Sequence, residues 1–165
     1  MGVTLVLGAA RSGKSRYAEE LIAQLPAPWT YIATATARDE DMHERIAQHR
    51  ARRDGRWQTL ETPADLAEAI VSAQGAVLVD CLTLWLSELM LGGADLAAAF
   101  DALEQALARA RPPVILVSSE VGWGIVPDNA LARRFRDEAG RLHQRLAGRA
   151  ERVVLVVAGL PMVVK

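Results

Sequence analysis

The segment Gly8-Ala9-Ala10-Arg11-Ser12-Gly13-Lys14-Ser15 constrains this chain more than any other. It has the spacing G-x-x-x-x-G-K-[ST], follows the short apolar run Val3 to Leu7, and opens a stretch of helical periodicity from Lys14 to Gln24. Glycines let a backbone wrap closely around phosphate oxygens with its N–H groups pointing inward. The positive end of the following helix adds to the attraction. Lys14 then supplies a point charge for the β and γ phosphates, and the Ser15 hydroxyl is placed to ligate Mg2+. Of the 19 basic residues only Lys14 and Lys165 are lysines, so one of the two occupies the position where such a loop requires lysine.

Further short β-branched runs recur at Thr30 to Thr34, Ala76 to Val79, Val114 to Val117 and Val153 to Val157, with a sixth candidate at Met162 to Val164. They read as buried strands. Helical periodicity separates them at Asp39 to Arg53, Ala64 to Ala73, Leu82 to Met90, Asp95 to Ala110 and Ala130 to Ala147. This alternation predicts an α/β fold, a mostly parallel sheet with helices on both faces. No repeat or linker divides the chain, so residues 1–165 are expected to form a single nucleotide-binding catalytic domain. In the last helix Leu131, Phe135, Ala139, Leu142 and Leu146 share a stripe, while Arg133, Arg134, Arg136, Arg141 and Arg145 face elsewhere as a solvated arginine face.

Composition narrows the function. With 51% hydrophobic and 24% charged residues and a net charge of -1, the chain reads as an ordinary globular protein, and nothing in that balance predicts a nucleic-acid-coating surface, although a neutral total leaves room for a local basic strip. Cys81 is the only cysteine, which excludes an internal disulfide and a thiolate-rich zinc site and fits a reducing, cytoplasmic setting. The N-terminus lacks the basic region and cleavage site of a signal peptide. The longest apolar stretch, Ala76 to Leu91, contains Asp80 and Glu88 and falls short of a membrane span.

Three further places carry candidate chemistry. Asp80 ends the run Ala76 to Val79 at a strand tip, where parallel sheets place their ligands. It suits either a carboxylate that holds Mg2+ or a cap for the next helix. Ser119-Glu120-Val121-Gly122-Trp123-Gly124-Ile125-Val126-Pro127 follows another strand. Two glycines around a tryptophan make a turned, exposed loop, either plain surface or a contact for substrate or subunit. His49 lies on the stripe of Met42 and Ile46 in a segment with 11 charged residues between Arg38 and Arg56. The surrounding arginines would disfavour its protonation and leave an imidazole nitrogen free as a nucleophile, although a lone helical histidine is more often structural. His43 and His143 read as structural or solvent-facing, and no histidine spacing suggests a metal site.

Taken together, G-A-A-R-S-G-K-S, Y-I-A-T, R-I-A-Q-H-R, W-Q-T-L-E, V-D-C-L-T, E-V-G-W-G-I-V-P and L-A-R-R-F-R-D-E-A-G-R-L-H-Q-R-L-A resemble the bifunctional adenosylcobinamide kinase / adenosylcobinamide-phosphate guanylyltransferase family of cobalamin biosynthesis, from Leu5 to the C-terminus. The resemblance implies a RecA-like P-loop scaffold with two activities. One moves the γ-phosphate of a nucleoside triphosphate to the aminopropanol hydroxyl of adenosylcobinamide. The other moves GMP from GTP to that new phosphate, through a covalent guanylyl-histidine that matches His49. It further implies that Gly8, Ala9, Ala10, Arg11, Ser12, Gly13, Lys14 and Ser15 form the nucleotide loop, that Thr34, Ala35 and Thr36 contact nucleotide, and that Arg50, Ala51, Arg52 and Arg53 follow the nucleophile in the site. Glu61 and Asp80 match further GTP-site carboxylates, Asp80 either reading guanine or ligating the metal with Ser15. Mg2+, with ATP and GTP as substrates, a corrinoid acceptor, and a homotrimer are implied in the same way. Two departures stand out: His143 where relatives often have Asn, and a short Gly92 to Asp95 region. The rival readings are a monofunctional P-loop kinase, an ATP-binding module acting on nucleic acid, and a nucleotide switch. The nucleic-acid reading would need stacking aromatics among the arginine clusters, which are absent.

Overall fold

The computed structural model describes residues 2–34, 54–61 and 65–165. The expected helix Asp39 to Arg53, with His43 and His49, lies outside them. In chain order the elements are β1 (Val3–Gly8), α1 (Lys14–Ile22), β2 (Trp29–Ala33), β3 (Trp57–Glu61), α2 (Leu66–Ser72), β4 (Ala76–Asp80), α3 (Leu82–Leu91), α4 (Leu96–Arg109), β5 (Val114–Ser119), α5 (Ala130–Arg149), β6 (Arg152–Val157) and β7 (Leu160–Val163).

The strands form one seven-stranded sheet in the order β3-β2-β4-β5-β1-β6-β7. All neighbours pair in parallel except β6 with β7. The apolar runs dictate this arrangement, since Val77, Leu78, Val79, Val114, Ile115, Leu116 and Val117 are fully buried, as a sheet covered on both faces requires. One face packs α1 against Val6, Leu78, Ile115, Val117 and Val154. The other packs α2, α3, α4 and α5 against Leu5, Val77, Val79, Leu116 and Val153.

The strand β3 is an edge that periodicity did not show. Trp57-Gln58-Thr59-Leu60-Glu61 is half polar and largely exposed, with no buried apolar run to mark it. It forms because β2 offers a free edge, and Trp57 packs its ring 5.1 Å from Trp29 and 6.3 Å from Tyr31.

The helix α5 corrects two expectations. Leu131, assigned to the buried stripe, is 55% exposed, because packing on the sheet starts further along, at Phe135, Ala139, Leu142 and Leu146. Arg145, assigned to the solvated face, instead reaches Glu104 and Asp101 on α4, with Arg149 joining at Glu104. Four acceptor and donor groups thus tie two neighbouring helices together, and the two arginines hold the Glu104 carboxyl below its usual range against the opposing effect of burial.

Gly75 turns the chain into β4 at φ 69°, and a Cβ there would lie 1.9 Å from the Pro28 carbonyl oxygen. Both the left-handed backbone and the contact exclude a side chain. Gly75→Ala is expected to cost about 2–4 kcal/mol of stability in urea denaturation. A cost under about 0.5 kcal/mol would mean that the turn yields freely.

Candidate active site

Parallel strands all end at the same edge, so register decides which residues meet there. Gly8 pairs with Ser119, Asp80 with Val117 and Ala33, and Ala33 with Glu61. The phosphate loop, Asp80, Glu61 and the Ser119–Pro127 segment therefore share one rim of the sheet. β5 lies between β1 and β4, which separates the loop from the Asp80 tip by one strand.

The loop itself is built from backbone. Ser12 N–H donates to the Ala9 carbonyl at 3.2 Å, and Gly159 N–H from the β6–β7 turn donates to the Ser12 carbonyl at 2.8 Å. A Cβ on Gly8 would sit 2.4 Å from Ser12 Oγ and 2.8 Å from the Val156 carbonyl oxygen, so only glycine fits where the chain leaves β1. Ala9, Ala10 and Arg11 are exposed, Ser12 is buried, and Gly13 takes φ 92° to begin α1. No side chain caps that helix, which leaves its first N–H groups and its positive end for an anion. Lys14 lies almost wholly beneath the loop, its Nζ donating to the Ala9 carbonyl at 3.2 Å, and Ser15 occupies the first turn beside it.

Asp80 is not a helix cap; Cys81 takes that position in α3. The carboxylate stays half-buried, with Oδ2 accepting from Tyr31 Oη at 3.2 Å. Next to it the Cys81 thiol is pushed up first by burial and then by the Asp80 charge, and drawn back by its contacts with Thr83 and the Leu84 backbone and, least, by Lys14. Thr34 is fully buried. Its Oγ1 donates to the Cys81 carbonyl at 2.6 Å and accepts from Cys81 N–H at 2.8 Å, clamping the tip of β4 to the end of β2. Its hydroxyl therefore holds the rim together. Glu61 ends β3 at the exposed margin of the same edge. Ala35, Thr36, His49, Arg50, Ala51, Arg52 and Arg53 fall outside the described residues.

One cluster escaped the sequence reading. His143, 6% exposed, lies between Ser118 Oγ at 2.7 Å from Nε2 and Glu120 Oε1 at 3.0 Å from Nδ1. The only sequence signal was the polar end Ser118-Ser119-Glu120 on an otherwise apolar strand. Burial lowers the proton affinity of His143 below the ordinary 6.5, with the Glu120 charge opposing more weakly. An unfolded chain would bind this proton near pH 6.5 while the folded chain resists it, so the stability present above that pH is lost as pH falls through and below it. In urea melts from pH 8 to pH 5, the wild type should lose up to about 1.4 kcal/mol per pH unit more than His143→Gln in that acidic window. A steeper loss in the variant would reverse the assignment.

Around the loop a cleft of about 310 Å³ is lined by Ala9 to Ser12, Glu120, Trp123 and the end of β6. Trp123 is 76% exposed there, as its loop position suggested. Among the described residues no cluster of three or more His, Cys, Asp or Glu could hold a metal ion by itself.

A phosphate-binding loop at the carboxyl edge of a parallel sheet, with a carboxylate-tipped strand one strand away, defines a P-loop nucleotide-binding protein of RecA-like architecture. Residues 4–164 match the family described as cobinamide kinase / cobinamide phosphate guanyltransferase. The chain belongs to this family of bifunctional enzymes. It is 51% identical over 166 residues to the bifunctional adenosylcobalamin biosynthesis protein CobP of Pseudomonas aeruginosa, covering 98% of this chain and 96% of that one. To the bifunctional adenosylcobalamin biosynthesis proteins CobU of Salmonella typhimurium and Escherichia coli it is 41% identical over 179 residues, covering 98% of each chain. An ATPase of the type III secretion system of pathogenic bacteria shares the fold, with a TM-score of 0.53 at 10% identity, covering 98% of this chain and 56% of the longer one. Among the described residues no helix is long and apolar enough to cross a membrane.

Proposed function

We propose that this chain carries out both reactions for which its family is named: phosphorylation of the hydroxyl of adenosylcobinamide by ATP or GTP, then transfer of GMP from GTP to the resulting phosphate with release of pyrophosphate. The observation that carries the reading is the convergence of an uncapped helix N-terminus, buried Lys14 and the Asp80 carboxylate at one sheet edge. That arrangement suits a polyphosphate, with loop N–H groups and Lys14 receiving the charge that develops as a phosphorus–oxygen bond breaks.

Mg2+ fits the donor set. Ser15 offers a hydroxyl and Asp80 a carboxylate on the same rim, both hard oxygen donors, and among the described residues no cluster of side chains forms a cage by itself. A cation that takes one or two protein oxygens and completes its shell with phosphates and water matches this set. When bound, it would neutralise phosphate charge during transfer.

For the second reaction His49 is the nucleophile. An imidazole nitrogen attacks the α-phosphorus of GTP, pyrophosphate departs with the bonding electron pair, and the phosphate of adenosylcobinamide phosphate then displaces the histidine. Arg50, Arg52 and Arg53, next to it in sequence, supply positive charge for this step. Glu61 and Asp80 complete the nucleotide site. Residues 1–165 act as one cytoplasmic catalytic domain that assembles as a homotrimer. Intact-protein mass spectrometry after incubation with Mg-GTP tests the reading: one added GMP, cleared by adenosylcobinamide phosphate, is expected. No adduct, with nucleotide still bound and adenosylcobinamide still phosphorylated, would leave the monofunctional kinase.

A further inference from the structure

The two reactions differ in what their acceptor must lose. The guanylyl acceptor is a phosphate whose attacking oxygen is already an anion. The kinase acceptor is a neutral alcohol, which must give up a proton as its oxygen bonds to phosphorus, and neither the loop nor Lys14 can take it.

Glu120 is a carboxylate placed beside the phosphate loop. It follows β5, the strand between the phosphate loop and the Asp80 tip, and its N–H donates to the Gly8 carbonyl at 2.9 Å, which fastens it to the start of the loop. Its side chain is 19% exposed and lines the cleft shared with Ala9 to Ser12 and Trp123. Among the described residues no lysine or arginine forms an ion pair with it.

The proton positions behind it follow from charge. An ionised carboxylate can only accept, so His143 Nδ1 carries a proton and donates to Oε1. Burial keeps the imidazole neutral, so Nε2 accepts, and the buried Ser118 hydroxyl must donate. The relay fixes one carboxylate oxygen and the ring behind it, while Oε2 retains its accepting capacity. Oε2 lies on the side of the Gly122 turn, where a Cβ built on that glycine would be 3.8 Å from it. Trp123 lines the cleft, and Ile125 and Val126 leave further apolar surface exposed in the same loop, which suits a bulky acceptor with apolar surface.

We infer that Glu120 is the catalytic proton acceptor of the kinase reaction, with His143 as its positioning residue; the inference rests on the kinase half of the function proposed above. The substrate oxygen forms a bond to the γ-phosphorus, and the bond from that phosphorus to the β,γ-bridging oxygen breaks, its electron pair leaving with the nucleoside diphosphate. The hydroxyl proton passes to Glu120 Oε2 and from there to solvent through the open cleft.

The test compares the two reactions in the same full-length preparations of wild type, Glu120→Gln and His143→Ala. Phosphoryl transfer is measured with adenosylcobinamide and Mg-ATP or Mg-GTP, and guanylyl transfer with preformed adenosylcobinamide phosphate and Mg-GTP. Glu120→Gln should lower the kinase kcat by about 10²- to 10³-fold with little change in the nucleotide KM, while guanylyl transfer falls less than about fivefold. His143→Ala should show the same split at roughly tenfold. Guanylyl transfer reports on folding within each preparation. A kinase rate within about fivefold of wild type in Glu120→Gln overturns the inference, as does a parallel fall of both reactions, which would mark a structural carboxylate. A wild type that runs guanylyl transfer but not phosphoryl transfer removes the kinase half of the proposed function, and the inference with it.

Discussion

A His49→Ala chain is expected to lose guanylyl transfer by about 10⁴-fold or more while phosphorylating adenosylcobinamide at close to the wild-type rate. The magnitude follows from the role. A covalent nucleophile divides one difficult displacement into two easier ones, and without it the acceptor phosphate must attack GTP directly in a site arranged for two steps. The selectivity follows from the sheet. In the proposed mechanism phosphoryl transfer draws on the Gly8–Ser15 loop, Lys14 and Asp80, which ride on β1, α1 and β4. None of these elements contains His49. Parallel rate measurements on the two acceptors check the division, and intact mass after Mg-GTP should show no added GMP in the variant. Loss of both reactions in a folded variant would mean that the histidine serves the nucleotide site as a whole, and a surviving adduct would place the nucleophile elsewhere.

Lys14→Ala has the opposite signature, a fall of about 10³-fold in both reactions. Lys14 Nζ is held by a neutral carbonyl at 3.2 Å, and among the described residues no carboxylate forms an ion pair with it. Its charge is therefore available to phosphate, and at 9% exposure it acts with little screening by water. Stability should change little, because the variant removes a nearly buried cation that no carboxylate among the described residues pairs with. Arginine is a poor substitute, since a planar fork cannot occupy the space of a compact ammonium beneath the loop. Rates on both acceptors, with nucleotide affinity from calorimetry, check the expectation. A kinase rate retained within about tenfold would mean that the loop amides alone carry the phosphate charge.

The contrast between these two variants reflects what could be read at each position. Gly8 to Ser15 declares itself in sequence because the constraints are local: glycine where a Cβ would strike the Val156 carbonyl, glycine again at φ 92°, and lysine at a set spacing from both. Asp80 was legible for a related reason, as a charge that ends an apolar run marks a strand tip, although only the structure removed its capping alternative by giving that position to Cys81. The strand β3 was not legible, since an edge strand need bury only one side and its pattern dissolves into polar residues. Leu131 and Arg145 were misjudged because periodicity assigns a face of a helix and says nothing of where along the helix its neighbour begins.

By itself, then, the sequence determined a parallel α/β sheet, its phosphate loop and the strand-tip carboxylate, because each depends on residues within a few positions of one another. Tertiary structure alone decided that β5 enters between β1 and β4, that Thr34 clamps the Asp80 strand, and that Ser118, Glu120 and His143 meet beside the loop. Those arrangements join residues 23 to 111 positions apart, and no local pattern encodes them. They arise when burial of the apolar strands sets the order of the sheet and brings its polar ends to one rim.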